Sequence, residues 1–233
     1  VAVPGEATTR LNLTVAEAES GNQYRFTVRG ASLKNTEWEK LLDMVDQLSP
    51  PPTYLVASGS LPPGVPEDFY ARLGKIVERR PEIRCVIDTS GRPLQIAAQT
   101  RPFLLKPNRR EIRELVDVEF GNTDDFKQAA SSFARQKGIQ AVVVSAGPDG
   151  VVLATPEYAR FYKSPDVQVN SKIGAGDSMV AGIVTGLAEE MDLTRAVIQG
   201  IAAGASAVMS PGTELCNAES TREVMAELAE MYL

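Results

Sequence analysis

A glycine-rich turn before a predicted helix is followed by an acidic residue in the segment SKIGAGDSM, residues 171–179. Gly174, Ala175 and Gly176 offer backbone N–H groups to an anion, because a helix start carries unpaired donors and partial positive charge. Asp177 is either a cap or first-turn acid that stabilises the helix start, or a base that accepts a proton from a substrate hydroxyl. The second alternative, a base beside an anion cradle, is the pairing that phosphoryl transfer requires.

This turn fits neither of the two common nucleotide-binding loops. No lysine follows Gly176, which excludes the GxxxxGK[ST] loop, and Met179 stands where GxGxxG requires its third glycine. The chain also contains no histidine, which excludes Ser-His-Asp and Cys-His catalysis and imidazole zinc sites. A general base must therefore be a carboxylate, lysine, tyrosine or cysteine.

A second candidate constellation is the segment LLKPNRREIREL, residues 104–115. Lys106 ends an apolar run, and Asn108 and Glu111 share one face of the helix predicted to follow. Asn108 and Glu111 fit an ordinary capping box. An oxygen pair at the carboxyl end of a strand equally suits a hydrated Mg²⁺, and a neighbouring lysine suits a nucleotide phosphate. Both alternatives remain open on these residues alone.

Two loops place polar residues just after predicted strands. In VVVSAGPDG, residues 142–150, Ser145, Gly147 and Gly150 follow an apolar run. Ligands bind at such strand ends in α/β folds, although a hairpin turn explains the same residues. Ser60 lies in the similar loop SGSLPPG, residues 58–64, which two prolines stiffen.

Arg10 and Asn12 lie on the first strand-like segment, TTRLNLTVAE. Their spacing of two residues puts both side chains on one face of a strand. From the residues alone, an exposed arginine on an edge strand is usually a solubilising residue.

Strand and helix patterns alternate along most of the chain. Within residues 8–29, polar and apolar residues alternate on both sides of Ser20-Gly21-Asn22, and this pattern predicts a hairpin. Short apolar runs then follow at residues 53–58, 83–88 and 140–145, separated by helical patterns, which predicts a mainly parallel sheet buried on both faces. A second hairpin is predicted from GVVLAT and YARFYK. Thr36 and Glu39 fit a capping box at the first helix.

The predicted fold is a three-layer α/β/α domain with a small β flap, or lid. We expect residues 1–30 to form the flap region and residues 31–233 to form one α/β domain, because no second boundary or internal repeat is visible. The composition supports this size, since 233 residues with 43% hydrophobic content can bury a sizeable core.

Charge and composition also limit the partners. The formal net charge is −6 without a basic run, which argues against nucleic acid or an anionic membrane surface as the main partner. No apolar stretch approaches the ~18 residues of a membrane span. Two cysteines, Cys85 and Cys216, make neither a disulfide framework nor a metal cluster, so a reducing cytoplasm is expected.

Together these motifs resemble the ribokinase-like (PfkB) family of sugar kinases. GAGDSMVAG, KPNRREI, SGSLPPG and VVVSAGPDG occur in the family's order and spacing, and the resemblance runs through the whole chain. Within the family, TRLNLTV, SGNQYRF and GTELC look like the minor-type ATP-dependent 6-phosphofructokinases. The 1-phosphofructokinases and the tagatose-6-phosphate kinases are near relatives.

The resemblance implies a kinase that transfers the γ-phosphoryl group of ATP to a sugar phosphate, fructose 6-phosphate in the first instance. Asp177 would then deprotonate the attacking sugar hydroxyl, and residues 174–176 would form the anion hole. Lys106 would contact phosphate, and Asn108 with Glu111 would organise Mg²⁺ and its waters.

The resemblance also implies roles for the remaining candidates. Ser145, Gly147, Gly150 and Gly204 would line the nucleotide. On the sugar side, Arg10 would hold the existing phosphate and Ser60 would lie beside the sugar, with Asn12 as a further substrate-binding residue. A monovalent cation, K⁺ in particular, would lie near the following residues: Ser171, Ile173 and Gly212. A homodimer formed through the β flap is expected.

In one respect the sequence departs from the family pattern. The family's first strands, an aspartate that holds the sugar hydroxyls, and a Gly-Gly sugar-binding loop have no counterpart before Val1. The chain begins as though cut into. Because orientation of the reactants can supply ~7–11 kcal/mol of a barrier, we expect these 233 residues alone to bind ATP but to be a poor kinase.

Two functions of other classes remain as alternatives. One is a non-catalytic module that binds ATP or a sugar phosphate, for which ATP-Mg binding without turnover would be the signature. The other is a dinucleotide-dependent oxidoreductase, against which the missing GxGxxG motif argues.

Overall fold

The computed structural model describes residues 9–17, 19–20, 22–116 and 122–233. These residues form a two-stranded hairpin and a six-stranded sheet with helices on both faces of the larger sheet. The predicted three-layer α/β fold with a mainly parallel sheet is confirmed.

The flap is an antiparallel hairpin of β1 (Asn12–Ala16) and β2 (Gln23–Thr27). It was predicted within residues 1–30, of which residues 1–8, 18 and 21 lie outside the described part of the chain. Leu13 lies opposite Phe26, and Val15 lies opposite Tyr24, so that one face of the hairpin is apolar.

The six strands of the large sheet lie side by side in chain order. They are β3 (Tyr54–Ser58), β4 (Arg84–Asp88), β5 (Leu104–Leu105), β6 (Ala141–Ser145), β7 (Val151–Ala154) and β8 (Ala159–Tyr162). The first four of them pair in parallel, and the last three pair as antiparallel hairpins. The three apolar runs predicted from the sequence therefore belong to one sheet, and the second hairpin is confirmed.

The helices that surround the sheet in the described residues are α1 (Asn35–Asp46), α2 (Phe69–Glu78), α3 (Gly91–Ala97), α4 (Arg109–Val116), α5 (Thr123–Lys137), α6 (Ala175–Ala188), α7 (Leu193–Met209) and α8 (Ala218–Tyr232). None of the helices described is long and apolar enough to cross a membrane.

The core consists of two apolar layers, one on each face of the sheet. Consecutive strand residues contribute to opposite layers: Val86 and Leu104 pack towards α6–α8, whereas Ile87 and Leu105 pack towards α1–α5. Because both faces are covered, these strands consist of continuous apolar residues instead of alternating ones.

Two local predictions need correction. The first helix begins at Asn35, and its capping contact runs from the Lys34 N–H to Glu37 Oε2 at 2.6 Å, so the capping box predicted for Thr36 and Glu39 is wrong by two residues. The apolar run in RPFLLKP, residues 101–107, was expected to be a strand, but it is paired only over Leu104–Leu105, between two prolines that lack backbone N–H donors.

Candidate active site

The glycine-rich turn is the N-terminus of α6. Gly174 occupies the capping position with φ of 74°, a left-handed conformation that favours glycine. The side chain of Leu215 fills the space that a Cβ at residue 174 would need. The backbone N–H of Cys216 donates to Ser178 Oγ at 3.4 Å, which holds the loop before α8 against this turn.

Asp177 lies in the first turn of α6 and is exposed. No side chain provides a capping hydrogen bond at this helix start within the described residues. Asp177 is therefore a first-turn acid and not a cap, which are the two forms of the helix-stabilising alternative. An exposed carboxylate beside a turn of N–H groups keeps its proton-accepting role open as a prediction.

Lys106 lies against the same turn from the side of the sheet. It follows β5, is only 6% exposed, and its Nζ lies 3.5 Å from the position that a Cβ on Gly176 would take. Its partner is Asp88, at 3.2 Å between Nζ and Oδ1. A buried lysine with a single carboxylate partner retains donors that can contact a phosphate at the turn.

Asp88 is a site residue that the sequence reasoning missed. It is the last residue of β4, and burial raises the pKa of its carboxyl group. The charge and hydrogen bond of Lys106 oppose this shift of the pKa, and the charges of Asp177 and Glu111 add to it. Three carboxylates thus lie near one lysine at the carboxyl ends of the strands. The only signal in the sequence was an acid that ends the apolar run IRCVID.

Asn108 and Glu111 form the capping box of α4. Asn108 Oδ1 accepts from the N–H groups of Arg110 and Glu111 at 2.9 and 3.0 Å, and Glu111 Oε2 accepts from Asn108 N at 2.8 Å. The capping alternative is thereby confirmed. It also fixes the Glu111 carboxylate near Asp88, so the predicted metal role stays compatible with it. Within the described residues, no three side chains of metal-ligating type are grouped closely enough to hold an ion directly.

Arg10 contacts the loop of residues 58–64, which was predicted to lie beside the sugar and is called the sugar loop below. Its Nη1 donates to Ser60 Oγ at 3.3 Å, which brings together two candidates fifty residues apart in the chain. Asn12 is an exposed residue of β1 opposite Thr27.

Two hydroxyl groups hold the backbone of this loop, and neither was singled out from the sequence. Tyr70 Oη and Thr89 Oγ1 both donate to the carbonyl oxygen of Gly59, at 2.6 and 2.8 Å. Gly59 itself has φ of 106°. The residue before Ser60 is therefore fixed by two buried side chains, which orients Ser60 towards Arg10.

The predicted nucleotide residues lie in one region. Ser145 is bridged to Asn108, and Gly147 and Gly150 bound the tight turn between β6 and β7. The Tyr162 carbonyl and the Phe161 ring exclude a Cβ at Gly150. These contacts fulfil the hairpin-turn alternative, and nucleotide contact remains a prediction.

Gly204 has a packing role that the sequence did not reveal. A Cβ at this position of α7 would lie 3.2 Å from the carbonyl oxygen of Ala175. The glycine therefore allows α7 to approach the first turn of α6 closely.

The residues predicted for a monovalent cation are also adjacent. Ser171 Oγ donates to the Gly212 carbonyl oxygen at 2.6 Å, and Ile173 N donates to Ser171 Oγ at 3.2 Å. Whether their oxygens bind an ion is a prediction.

Comparisons with known proteins show the family of the chain. The sequence matches the family model "pfkB family carbohydrate kinase" over residues 2–220. The ATP-dependent 6-phosphofructokinase isozyme 2 of Mycobacterium tuberculosis is 38% identical over 228 residues, which are 98% of this chain and 67% of that protein. The 1-phosphofructokinase of Bacillus subtilis is 27% identical over 220 residues, 94% of this chain and 70% of that protein.

Among solved structures, phosphofructokinase-2 from Escherichia coli in complex with potassium has a TM-score of 0.89 and 36% identity. The match covers 97% of this chain and 72% of that one. The segment that these relatives share with this chain is thus 67–72% of their own length.

Proposed function

Since the chain belongs to the pfkB family of carbohydrate kinases, we propose that it transfers the γ-phosphoryl group of ATP to fructose 6-phosphate. The observation that carries the proposal is the exposed Asp177 carboxylate, which lies in the first turn after Gly174 with the buried Lys106 ammonium beside Gly176. Phosphoryl transfer needs three elements in one place: a base, a turn of N–H groups that binds an anion, and a phosphate-binding cation. The turn formed by residues 174–176 is called the anion turn below.

Asp177 accepts the proton of the attacking sugar hydroxyl in this proposal. The N–H groups of residues 174–176 stabilise the charge on the transferred group, because they are oriented before the reaction begins. Lys106 neutralises phosphate charge from the side of the sheet. Arg10 and Ser60 hold the phosphate that the sugar already carries, and thereby fix its other end.

Mg²⁺ fits the acidic side of this site. Asp88, Glu111 and Asp177 lie near enough for each of the last two charges to raise the pKa of Asp88, and a cation among them would relieve that repulsion. The carboxylates would hold the ion through its waters, as Mg²⁺ commonly requires. When bound, the ion supplies positive charge to the phosphates of ATP.

A K⁺ ion beside the anion turn belongs to the same proposal. The adjacency of Ser171, Ile173 and Gly212 supports it, and the potassium complex of the Escherichia coli enzyme has the same fold. Replacement of K⁺ by tetramethylammonium in the assay should then lower the rate.

The substrate assignment is tested by a coupled assay of the whole protein that measures ADP release with three acceptors. The expected order of kcat/KM is fructose 6-phosphate, then fructose 1-phosphate and tagatose 6-phosphate. The higher identity to a 6-phosphofructokinase than to a 1-phosphofructokinase supports this order. A preference for one of the other two sugar phosphates would support the alternative assignment as a 1-phosphofructokinase or a tagatose-6-phosphate kinase.

The non-catalytic alternative gives a different result in the same experiment. A binding module would bind ATP-Mg in calorimetry but release no ADP with any of the three acceptors.

We further propose that two copies of the chain pair through the apolar face of the hairpin. Six large apolar side chains on that face are between 43% and 74% exposed: Leu11, Leu13, Val15, Tyr24, Phe26 and Val28. A contiguous exposed apolar face of this kind marks an interaction surface. Sedimentation velocity should show a dimer, and Phe26→Asp should make it monomeric. A wild-type monomer at tens of micromolar would refute the pairing.

A cytoplasmic location completes the proposal. Both cysteines are free thiols, Cys85 buried and Cys216 half-buried, as expected of a protein from a reducing compartment. Fractionation of the source cells should recover the protein with cytoplasmic enzymes.

A further inference from the structure

Two side-chain contacts attach the hairpin to two segments of the candidate active site. At one end, Arg10 donates to Ser60 in the sugar loop. At the other end, Gln23 Nε2 donates to the carbonyl oxygen of Asn170 at 3.1 Å. Asn170 lies four residues before Gly174. The hairpin therefore extends from the sugar loop to the segment that leads into the anion turn.

The end at Asn170 is firmly held by the body of the domain. The backbone N–H of Asn170 donates to the Val208 carbonyl oxygen at 2.8 Å, and its Nδ2 donates to the Met209 carbonyl oxygen at 2.6 Å. Gln23 thus reaches a fixed point at the end of α7, and the position of the hairpin relative to the anion turn is defined.

Arg25 projects from the same face of the hairpin as Gln23. Side chains two residues apart on a strand share a face, and the register places Arg25 opposite Thr14 and Gln23 opposite Ala16. The face with Gln23 is the one that contacts the body, because the apolar side chains occupy the other. Arg25 is exposed, and no carboxylate pairs with it in the described part of the chain.

The position along the strand favours the reacting centre over the sugar's existing phosphate. At about 3.3 Å per residue, Arg25 lies about 7 Å from Gln23 and about 13 Å from the level of Arg10. The long, flexible side chain of Arg25 can span the ~7 Å to the level of Gln23 more easily than the ~13 Å to the level of Arg10. It adds an uncompensated positive charge to a cleft that must hold the phosphates of two substrates.

We propose that Arg25 is a catalytic residue that contacts the transferred phosphoryl group. The inference rests on the proposed kinase function. In the reaction, the bond between the γ-phosphorus and the bridging oxygen of ATP breaks, and a bond from the sugar oxygen to that phosphorus forms. The hydroxyl proton goes to Asp177. Arg25 donates N–H bonds to the peripheral phosphoryl oxygens and takes no part in the proton transfer.

The test compares Arg25→Gln and Arg25→Lys with Lys40→Gln, which removes the same charge from an exposed position on α1. Steady-state kinetics of the whole protein should show kcat lowered about 100-fold or more in Arg25→Gln, and less in Arg25→Lys, which keeps the charge but not the fork of donors. KM for ATP and for fructose 6-phosphate should change less than about threefold. Lys40→Gln should match the wild type.

Chemical rescue separates a contact with the reacting group from a structural role. Added guanidinium at millimolar concentration should restore part of the kcat of Arg25→Ala and leave the wild type unaffected. An unchanged kcat in Arg25→Gln, or a loss confined to KM for fructose 6-phosphate, would overturn the inference. If the wild type transfers no phosphoryl group, the proposed function itself is overturned. If the wild type and Arg25→Gln are equally active, only the inference about Arg25 is overturned.

Discussion

The hairpin and the anion turn both face the candidate reacting centre, but they are held in place very differently. Around the turn, Ser171, Ser178 and Lys106 are buried, and each is bonded to a neighbouring segment. The hairpin exposes every residue of β2 and touches the body through Arg10 and Gln23 side chains.

This difference separates two kinds of contribution to catalysis. The groups around the turn are oriented by the fold itself, so they require little reorganisation during the reaction. Among the described residues, two exposed hydrogen bonds connect the hairpin to the body, and each contributes about 0.5–1.5 kcal/mol. We therefore expect substrate and the proposed second copy of the chain to hold the hairpin further. Variants of the turn should change kcat or stability, whereas variants of the hairpin should change substrate binding or turnover without unfolding the body.

The strongest test replaces the base. Asp177→Asn keeps the shape of the side chain but removes proton acceptance, so kcat should fall ~10²–10⁴-fold while the Kd for ATP changes little. The matched control is Asp125→Asn, an exposed acid at the same third position of α5, which should leave kcat unchanged. A near-normal kcat in Asp177→Asn would mean that Asp177 acts only as a first-turn acid of α6.

The next test removes the phosphate contact of the hairpin. Arg10→Ala should raise KM for fructose 6-phosphate about 10- to 100-fold, because a charge-assisted hydrogen bond contributes about 1.5–3 kcal/mol. KM for ATP and the melting temperature should stay nearly constant. Arg79→Ala, which breaks an exposed ion pair with Asp46 far from the cleft, is the control. Equal effects on both substrates would contradict the sugar-side assignment.

A third test uses the pH dependence of stability. Lys106→Met leaves Asp88 without its cation, so the free energy of unfolding should fall by about 1–3 kcal/mol at neutral pH. Without Lys106, the pKa of Asp88 should rise further in the folded state. Folding then favours the protonated form of Asp88. The free energy of unfolding therefore falls as the pH rises above the ordinary pKa of an aspartate.

The measurement is urea unfolding of Lys106→Met and the wild type at pH 5 and pH 8. The difference between the two proteins should be larger at pH 8. Lys75→Met, at an exposed position of α2, should show a small difference at both pH values. A difference that is larger at pH 5 would mean that Asp88 is not the group that titrates.

The smallest expected effect separates metal binding from capping at Glu111. Glu111→Gln keeps an oxygen that accepts from Asn108 N but removes the charge, so the Mg²⁺ concentration for half-maximal activity should rise about tenfold. Glu37→Gln changes the corresponding capping residue of α1 and should leave the Mg²⁺ response unchanged. If both variants lose only thermal stability, and to a similar extent, the role of Glu111 is limited to capping α4.

The sequence predicted the fold well because its strongest signals are local. Apolar runs at β3, β4 and β6, and alternation in the hairpin, follow directly from which faces are buried. The Thr36–Glu39 capping box was wrong because several acidic and polar residues in succession give more than one acceptable cap, and packing of Trp38 and Leu42 in the core decides the helix start.

The candidate site was only partly predictable. Glycines 174 and 176, Asp177 and Lys106 lie in short motifs, so their proximity follows from strand order. Asp88, Tyr70 and Thr89 act across the sheet: their roles depend on which strand ends meet, and a single aspartate after an apolar strand carries no sign of its neighbours. The Gln23–Asn170 bond joins residues 147 positions apart, and no pattern in either segment indicates it.

The Cys216 contact with Ser178 gives this enzyme a built-in chemical reporter. Burial raises the pKa of Cys85 to about 12, so its thiolate, the form that alkylating dyes attack, is scarce at pH 8. Cys216 is the more accessible of the two thiols and lies in the loop that contacts the first turn of α6. Within these 233 residues, a maleimide fluorophore should therefore label one position, and we expect its labelling rate to fall when nucleotide binds at the adjacent turn. Ligand occupancy becomes readable by fluorescence without any engineered cysteine.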